Sequence, residues 1–298
     1  MKACFSGIIG HQAQMEYLCR IIDQKTVAHA YLFSGPAHIG KTLIARCFAA
    51  EMLGVDEKSL DYHPNYYFVD FPIDEKTGEP KKHIDIESIR EARDRMNLST
   101  FDGGRKILIV NHADTMTIGA QNALLKTLEE PKGDALIILL ASMPKILLPT
   151  IVSRAVHLRF FPVSTQSILE GLGDEGKKIA SLIETYALGR PGIAKSLLDA
   201  EEHEIVLEEL QSAKDFLASP LAKRFGMIQG LIKKADPAFI MKTIVTWRLE
   251  LHALLLQELN TPQSEKSAKA LLALDEAEES IRRNGNVPLA LEYFAIHL

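Results

Sequence analysis

The chain lacks most of what would mark it as secreted, metal-clustered or membrane-bound. It has only three cysteines in 298 residues. Cys4, Cys19 and Cys47 are far apart and form no C-x-x-C pair. A disulfide framework or zinc site is therefore not expected, and a reducing cytoplasm fits. The longest apolar run, ALIILLA from Ala135 to Ala141, falls well short of the roughly twenty residues that a bilayer-spanning helix needs. The N-terminal MKACFSGIIGHQ has no sustained apolar stretch, which makes it a poor signal peptide. A soluble, cytoplasmic protein with no membrane partner is expected. No charge of one sign dominates: 34 Lys and Arg against 39 Asp and Glu give a net charge of −5. Such a chain does not grip DNA alone through a broad basic face, but it can sit in a larger DNA-handling assembly. Internal repeats and low-complexity tracts are missing. The single tryptophan, Trp247, reads as core.

What remains is ordinary globular material, 47% apolar and 24% charged, long enough for two or three domains. The first half alternates short apolar strands with helices. AYLFSG is a buried strand, and KTLIARCFAAEMLG is a helix with Leu43, Ile44, Cys47, Phe48 and Met52 apolar and Gly54 closing it. NYYFVDF is a strand, and the polar PIDEKTGEPKKHI, with its Thr77–Gly78 turn, is an exposed hairpin or loop. A helix with Ile86, Ile89, Arg93 and Met96 on one face follows. KILIVN is a buried strand, TIGAQNALLKTLEE is a helix stopped by Pro131, and ALIILLA is another buried strand. Continuous apolar strands between helices imply a parallel sheet covered on both faces. After HLRFFPVS the strands stop. A small helical bundle runs to about residue 203, and longer helices fill 204–217, 221–234, 237–259, 265–284 and 286–297, with Pro220 and Pro237 as starts. The fold class is α/β followed by all-α, and the domains expected are 1–163, 164–203 and 204–298.

Between the first strand and its helix lies GPAHIGKT, which reads G-x-x-x-x-G-K-T. Its residues Gly35, Pro36, Ala37, His38, Ile39, Gly40, Lys41 and Thr42 are the candidate phosphate cradle. Backbone N–H groups of such a loop point inward, and the helix N-terminus adds partial positive charge. Lys41 suits the outer phosphates and the Thr42 hydroxyl suits Mg²⁺. ATP or ADP with Mg²⁺ is the expected cofactor. Hydrolysis needs more, namely a carboxylate pair at the end of a second strand. KILIV ends instead in Asn111 and His112, and Asp114 stands beyond the strand end. An amide oxygen can touch Mg²⁺ but adds no net charge. Loss of a positioned base costs about 10²–10⁴ in rate.

Four segments, FSGIIGHQAQMEYL, AHAYLFSGPAHIGKT, QNALLKTLEEP and LLPTIVSRA, occur in this order and resemble the bacterial clamp-loader subunits of the AAA+ family. The resemblance covers about residues 5–200. It implies an AAA+ P-loop parallel sheet with helices on both faces, a small helical lid and a C-terminal helical collar for oligomerisation. Motor members of that family carry Asp-Glu at the second strand end, an S-R-C motif and a lid arginine. This chain has Asn111-His112, Ser153-Arg154-Ala155, and Gly192 at the lid position, with Arg190 two residues earlier and expected to face away. Ser142 or Met143 takes the place of the γ-phosphate sensor. Lost catalytic positions beside a retained Ser-Arg resemble the delta-prime branch of the DNA polymerase III clamp loader. The four-cysteine zinc module found in many relatives has no counterpart in EMLGVDEKSLDYHPNYYF, so no zinc is expected.

The resemblance implies that Arg154 is an arginine finger offered in trans to a neighbour's ATP, while the chain's own hydrolysis is lost. Implied partners are the motor gamma/tau and delta subunits in a heteropentamer, with the sliding clamp and primer-template DNA met through the assembly. An active AAA+ ATPase, of motor or helicase-loading type, is the alternative. A small-molecule kinase is weaker, since no second substrate pocket is evident. Ile8, Ile9 and Tyr31 are candidate adenine contacts or ordinary packing. Lys81, Lys82, Arg105 and Lys106 are expected on solvated faces. Most of the apolar stripe from Phe239 to Leu259 is expected to be the domain's own core.

Overall fold

The computed structural model describes residues 5–73, 78–98, 104–234, 236–259, 261–283 and 285–298. Cys4, Thr77 and residues 101–103 of FDGGRK lie outside them. The elements of the first half run α1 (Gln12–Asp23), β1 (Ala30–Ser34), α2 (Lys41–Leu53), β2 (Tyr66–Val69), α3 (Ile86–Asn97), β3 (Lys106–Val110), α4 (Ile118–Glu129), β4 (Ala135–Ala141), α5 (Pro149–Val152) and β5 (Val156–Arg159). The strands form one sheet in the order β2-β3-β4-β1-β5, and every pairing is parallel. β5 adds to the strands read from the sequence. At four residues, three half-covered and Arg159 exposed, it is too short and mixed to stand out as an apolar run.

The strands are apolar throughout because both faces are covered. Side chains alternate across the sheet with period two. Tyr31, Phe33, Ile107, Ile109, Leu136, Ile138 and Leu140 join Met15, Leu18, Ile44 and Phe48 of α1 and α2 in one core. Ala30, Leu32, Leu108, Val110, Ile137 and Leu139 join Ile89, Met96, Leu124 and Leu128 of α3 and α4 in the other. Leu43, read from the sequence on the apolar face of α2, is 46% exposed. It stands at the solvent side of a helix whose Ile44, Cys47 and Phe48 are buried. Asp85 caps α3 by accepting from the Ser88 N–H at 3.0 Å, and Thr117 caps α4 through the Ala120 N–H at 3.2 Å. Of the expected hairpin, Ile73 and Pro80 form one antiparallel bridge.

Lys106 departs from expectation. It opens β3 with only 5% of its surface exposed. Its ammonium donates to the carbonyls of Arg95 at 2.9 Å, Met96 at 3.4 Å and also Leu98. A cation at the negative C-terminal end of α3 satisfies carbonyls the helix leaves open. Burial pulls its pKa below that of an ordinary lysine. The sequence, which shows only a charged residue at a strand start, suggested a solvated face.

The chain divides into two compact units, Met1–Lys177 with Gly189–Ile193, and Lys178–Leu188 with Ala194–Leu298. The expected lid, 164–203, is thus shared between them. Its segments are α6 (Thr165–Lys178), interrupted at Gly173, α7 (Ala180–Leu182), a π-helical turn at Ile183–Ala187, and α8 (Pro191–Ser196). The second unit continues with α9 (Ala200–Ala218), α10 (Leu221–Lys234), α11 (Pro237–Gln257), α12 (Pro262–Arg282) and α13 (Val287–His297). Trp247 is its centre, stacked on Phe216 at 4.1 Å and near Phe294 at 5.5 Å. Ile240, Ile244, Leu249 and Leu251 are buried, so most of the α11 stripe is core, while Phe239, Leu256 and Leu259 remain exposed. Among the described residues no helix is long and apolar enough to cross a membrane.

Candidate functional site: a phosphate loop facing an amide

The strand order brings three strand ends together. β4 lies between β1 and β3, so the loop leaving β1, the turn leaving β3 and the Ser142–Met143 turn leaving β4 share the carboxyl edge of the sheet. Ligands of open parallel sheets bind at such an edge.

Residues 35–40 form the loop, and Lys41 and Thr42 begin α2. Gly35 has φ 152, and a Cβ there would come 2.3 Å from the Phe160 carbonyl, so no side chain fits. Gly40 has φ 104 and precedes the helix. His38 holds φ 61 at the tip. The Lys41 side chain is buried, and its ammonium donates to the carbonyls of Gly35 at 2.6 Å and Pro36 at 2.8 Å. Burial lowers its pKa to about 8, with a smaller upward pull from the Asp114 carboxylate. The loop is braced from outside. His11 Nε2 stands 2.9 Å from the Ile39 carbonyl, and burial lowers the pKa of that imidazole.

A second brace comes from Gly192. The Gly192 N–H donates to the His38 carbonyl at 2.8 Å, and a Cβ at Gly192 would stand 2.7 Å from that oxygen. Any side chain at this position, an arginine included, would have to displace the phosphate loop. Arg190 corrects an expectation. It precedes α8 instead of lying within it, so a helical wheel does not govern its direction. Burial lowers the pKa of the His38 imidazole, and the Arg190 charge lowers it further.

At the end of β3, Asn111 faces Thr42 with its amide oxygen 3.5 Å from the hydroxyl. Its amide nitrogen donates to the Asp70 carboxylate at 2.9 Å. Asp70 follows β2 directly. His112 adopts φ 50, stacks on Phe71 with ring centres 4.6 Å apart, and places Nε2 3.9 Å from Asp70. Asp114 is turned elsewhere. It is buried and accepts the N–H groups of Ser142 at 3.0 Å and Met143 at 2.7 Å. Its carboxylate therefore fixes the β4 turn, and the Met143 side chain is 55% exposed.

These residues fit a magnesium nucleotide. Hydroxyl and amide oxygens are the hard ligands Mg²⁺ takes, and the ammonium and helix start suit phosphate. Tyr31 does not contribute to an adenine site. It is fully buried, packs edge-on against Phe48 at 5.6 Å, and its hydroxyl accepts the Ala28 N–H. Ile8 packs against the same core. Ile9 lies against α6 so closely that a Cβ on Gly171 would meet it at 2.5 Å. Lys81 pairs with Asp85 at 2.8 Å, half-exposed, and Arg105 pairs with Asp134 at 2.7 Å.

Arg154 lies between α5 and β5. Its guanidinium donates to the Thr150 carbonyl at 2.9 Å and pairs with Glu129 at 2.8 Å, both side chains being over a third exposed. Val156, two residues on, aligns with Tyr31 at the start of β1, and Arg159 with Ser34 at its end. Arg154 thus sits at the amino edge of the sheet, and the loop follows the carboxyl edge. At about 3.3 Å per residue the intervening strand alone spans more than 10 Å.

Sequence reasoning missed Asp70, His11 and the anchoring role of Asp114. Asp70 carried a signal: it is the polar residue ending an apolar strand, where ligand-facing side chains of parallel sheets collect.

The sheet and its phosphate loop define an AAA+ fold. A family model described as DNA polymerase III, delta subunit, matches residues 10–164. DNA polymerase III subunit delta′ of Pseudomonas aeruginosa is 30% identical over 67% of this chain and 66% of its own length. The Bacillus subtilis subunit delta′ is 32% identical over 53% of this chain and 50% of its own. DNA polymerase III subunit tau of Bacillus subtilis is 31% identical over 55% of this chain and 30% of its own. The chain thus spans less than two thirds of the length of these curated relatives. A solved gamma subunit-related protein of DNA polymerase III from Thermotoga maritima has the same fold, with a TM-score of 0.57 and 21% identity over 95% of this chain and 98% of that one. The chain belongs to the DNA polymerase III delta-prime subunit family.

Proposed function

We propose that the chain acts as the delta-prime subunit of a clamp loader, in ATP-dependent loading of the sliding clamp. It holds ATP or ADP with Mg²⁺ in residues 35–42, does not hydrolyse it unaided, and lends Arg154 to the ATP of a neighbouring gamma/tau subunit. The delta subunit, the clamp and primer-template DNA meet it through the same assembly, in the cytoplasm. Residues 1–163, 164–203 and 204–298 would serve as nucleotide domain, lid and collar.

One observation supports this reading: the phosphate loop and Arg154 stand at opposite edges of the sheet. The phosphate loop faces an amide at the carboxyl edge, and the exposed guanidinium is at the amino edge. An arginine so situated serves a nucleotide held by another chain. Its planar fork suits phosphate, and a finger supplied in trans is worth about 10³–10⁵ in rate. The Mg²⁺, when bound, offsets phosphate charge. Lys41 would do the same at the outer phosphates, the Thr42 hydroxyl and Asn111 amide oxygen would hold the cation, and β3 is followed by an amide and an imidazole, Asn111 and His112, in place of a carboxylate pair.

The test is phosphate release, measured for the purified chain and for the reconstituted loader. The purified chain should bind nucleotide without turnover. Arg154→Ala should assemble normally yet reduce DNA-stimulated hydrolysis by the complex. Turnover by the isolated chain that vanishes in Lys41→Ala would establish the active-ATPase alternative, and an unaltered rate in Arg154→Ala would refute the finger.

A further inference from the structure

The Asn111 amide has two different ends, and only one is useful beside a cation. Its oxygen can approach Mg²⁺; its NH₂ group, with two donors, repels it. An isolated asparagine can present either. Here the choice is made by Asp70. An ionised carboxylate only accepts hydrogen bonds, so it takes the Nδ2 side, at 2.9 Å. Asp70 is itself held, its other oxygen accepting the Phe71 N–H at 2.8 Å. The Oδ1 of Asn111 is thereby turned to Thr42. The 3.5 Å between that oxygen and the Thr42 hydroxyl is long for an O–H···O bond. Two oxygens face each other across a gap with no strong bond to close it.

We propose that Asp70 is a positioning residue for the cation of the bound nucleotide: it locks Asn111 with its oxygen toward Thr42 and returns, one shell out, the negative charge that the end of β3 lacks. The proposal rests on the nucleotide-holding reading above. It explains how an amide can serve where a carboxylate is the better ligand, since outer partners of metal ligands set their orientation and donor strength. Because Asp70 acts through Asn111, its effect depends on what stands at 111. With a carboxylate there, Asp70 would lie within hydrogen-bond distance of a second negative charge and oppose the site instead of ordering it.

The experiment is calorimetric titration of the full chain with ADP, with and without Mg²⁺, for wild type, Lys41→Ala, Asp70→Ala, Asp70→Asn, Asn111→Ala, Asn111→Asp and the double variant Asn111→Asp/Asp70→Asn. In the wild-type chain Mg²⁺ should tighten ADP binding. Asp70→Ala, Asp70→Asn and Asn111→Ala should leave the Mg-free affinity within about twofold and reduce the Mg-dependent tightening by about tenfold or more. In the Asn111→Asp background, Asp70→Asn should instead increase that tightening. A purely structural role for Asp70 would not reverse sign. Full retention of the Mg²⁺ effect in both Asp70 variants, or the same direction of change in both backgrounds, would overturn the proposal. ADP binding that Lys41→Ala weakens but Mg²⁺ never affects would overturn it too, while sparing the nucleotide-holding reading. If ADP fails to bind at all, or binds equally to Lys41→Ala, that reading falls and the proposal with it.

Discussion

The sheet unit and the helical unit bury their chains by different means. Of the four charged side chains buried among the described residues, Lys41, Lys106 and Asp114 belong to the sheet unit and Glu250 to the helical one. Each of the three is held by backbone: Lys41 by loop carbonyls, Lys106 by a helix end, Asp114 by two amides. A buried charge survives only with such partners. The helical unit has stacked rings at its centre, Phe216, Trp247 and Phe294, where Tyr31, Phe33, Phe48 and Phe160 of the sheet unit meet edge-on or tilted. In one unit polar groups are spent on shaping strand ends; in the other the fold is mostly packing.

The strongest challenge to this contrast is Trp247→Ala. Removing a ring stacked at 4.1 Å on Phe216 should cost about 3–5 kcal/mol, the range for a large aromatic truncated in a core. Chemical denaturation should show that loss, while nucleotide affinity at the phosphate loop stays unchanged. A weakened loop would mean that the two units are not separable in function.

Lys106→Met tests the opposite side. The methionine keeps the volume but leaves the carbonyls of Arg95, Met96 and Leu98 without their donor. Unsatisfied buried groups of this kind cost about 1–3 kcal/mol. A neutral result in denaturation would show that water replaces the ammonium and that the buried charge is incidental.

These two residues also mark what could be read in advance. Trp247 was legible because a period of 3.6 and a lone large ring leave little choice but a core. Nearly all of the long helices were legible from the same period. Lys106 was not, since sequence shows charge but not the helix end that folds back to meet it. The loop at 35–42 was legible because its chemistry dictates its spacing. Its restraints from His11 and Gly192, and the hold of Asp70 on Asn111 opposite it, were not, because each joins segments distant in sequence. Arg190 precedes its helix, so helical periodicity does not fix its direction. Arg154 was legible as a residue worth noting, and its location at the amino edge required the register of β5 against β1.

A smaller effect should appear in the pH dependence of nucleotide binding. In the free chain burial lowers the Lys41 pKa to about 8. Phosphate stabilises the charged ammonium, so the bound pKa is higher. Below pH 8 the lysine is charged in both states and affinity is flat. Above it the free lysine is neutral, binding must take up a proton, and affinity falls by up to about tenfold per pH unit until the bound pKa is reached. Titrations with ADP from pH 7 to 10 should show that decline. Lys41→Met should abolish it along with most of the binding. A flat profile in the wild-type chain would mean that the ammonium is not what the phosphates meet.

The smallest expected effect concerns how Arg154 is kept when no neighbour is present. Its partner Glu129 is 47% exposed and Arg154 itself 36%, so solvent screens the pair, and Glu129→Gln should change stability by less than about 1 kcal/mol. That weakness is what the proposed lending of Arg154 requires. A γ-phosphate offers more charge than one carboxylate in a drier setting, so the guanidinium can leave Glu129 without cost to the sheet. The substitution should therefore leave DNA-stimulated hydrolysis by the reconstituted loader intact or slightly raised. If denaturation instead shows a loss of several kcal/mol, the pair is a structural clasp, Arg154 is not free to leave it, and the contrast between a residue that holds its own fold and one that serves a neighbour's site disappears.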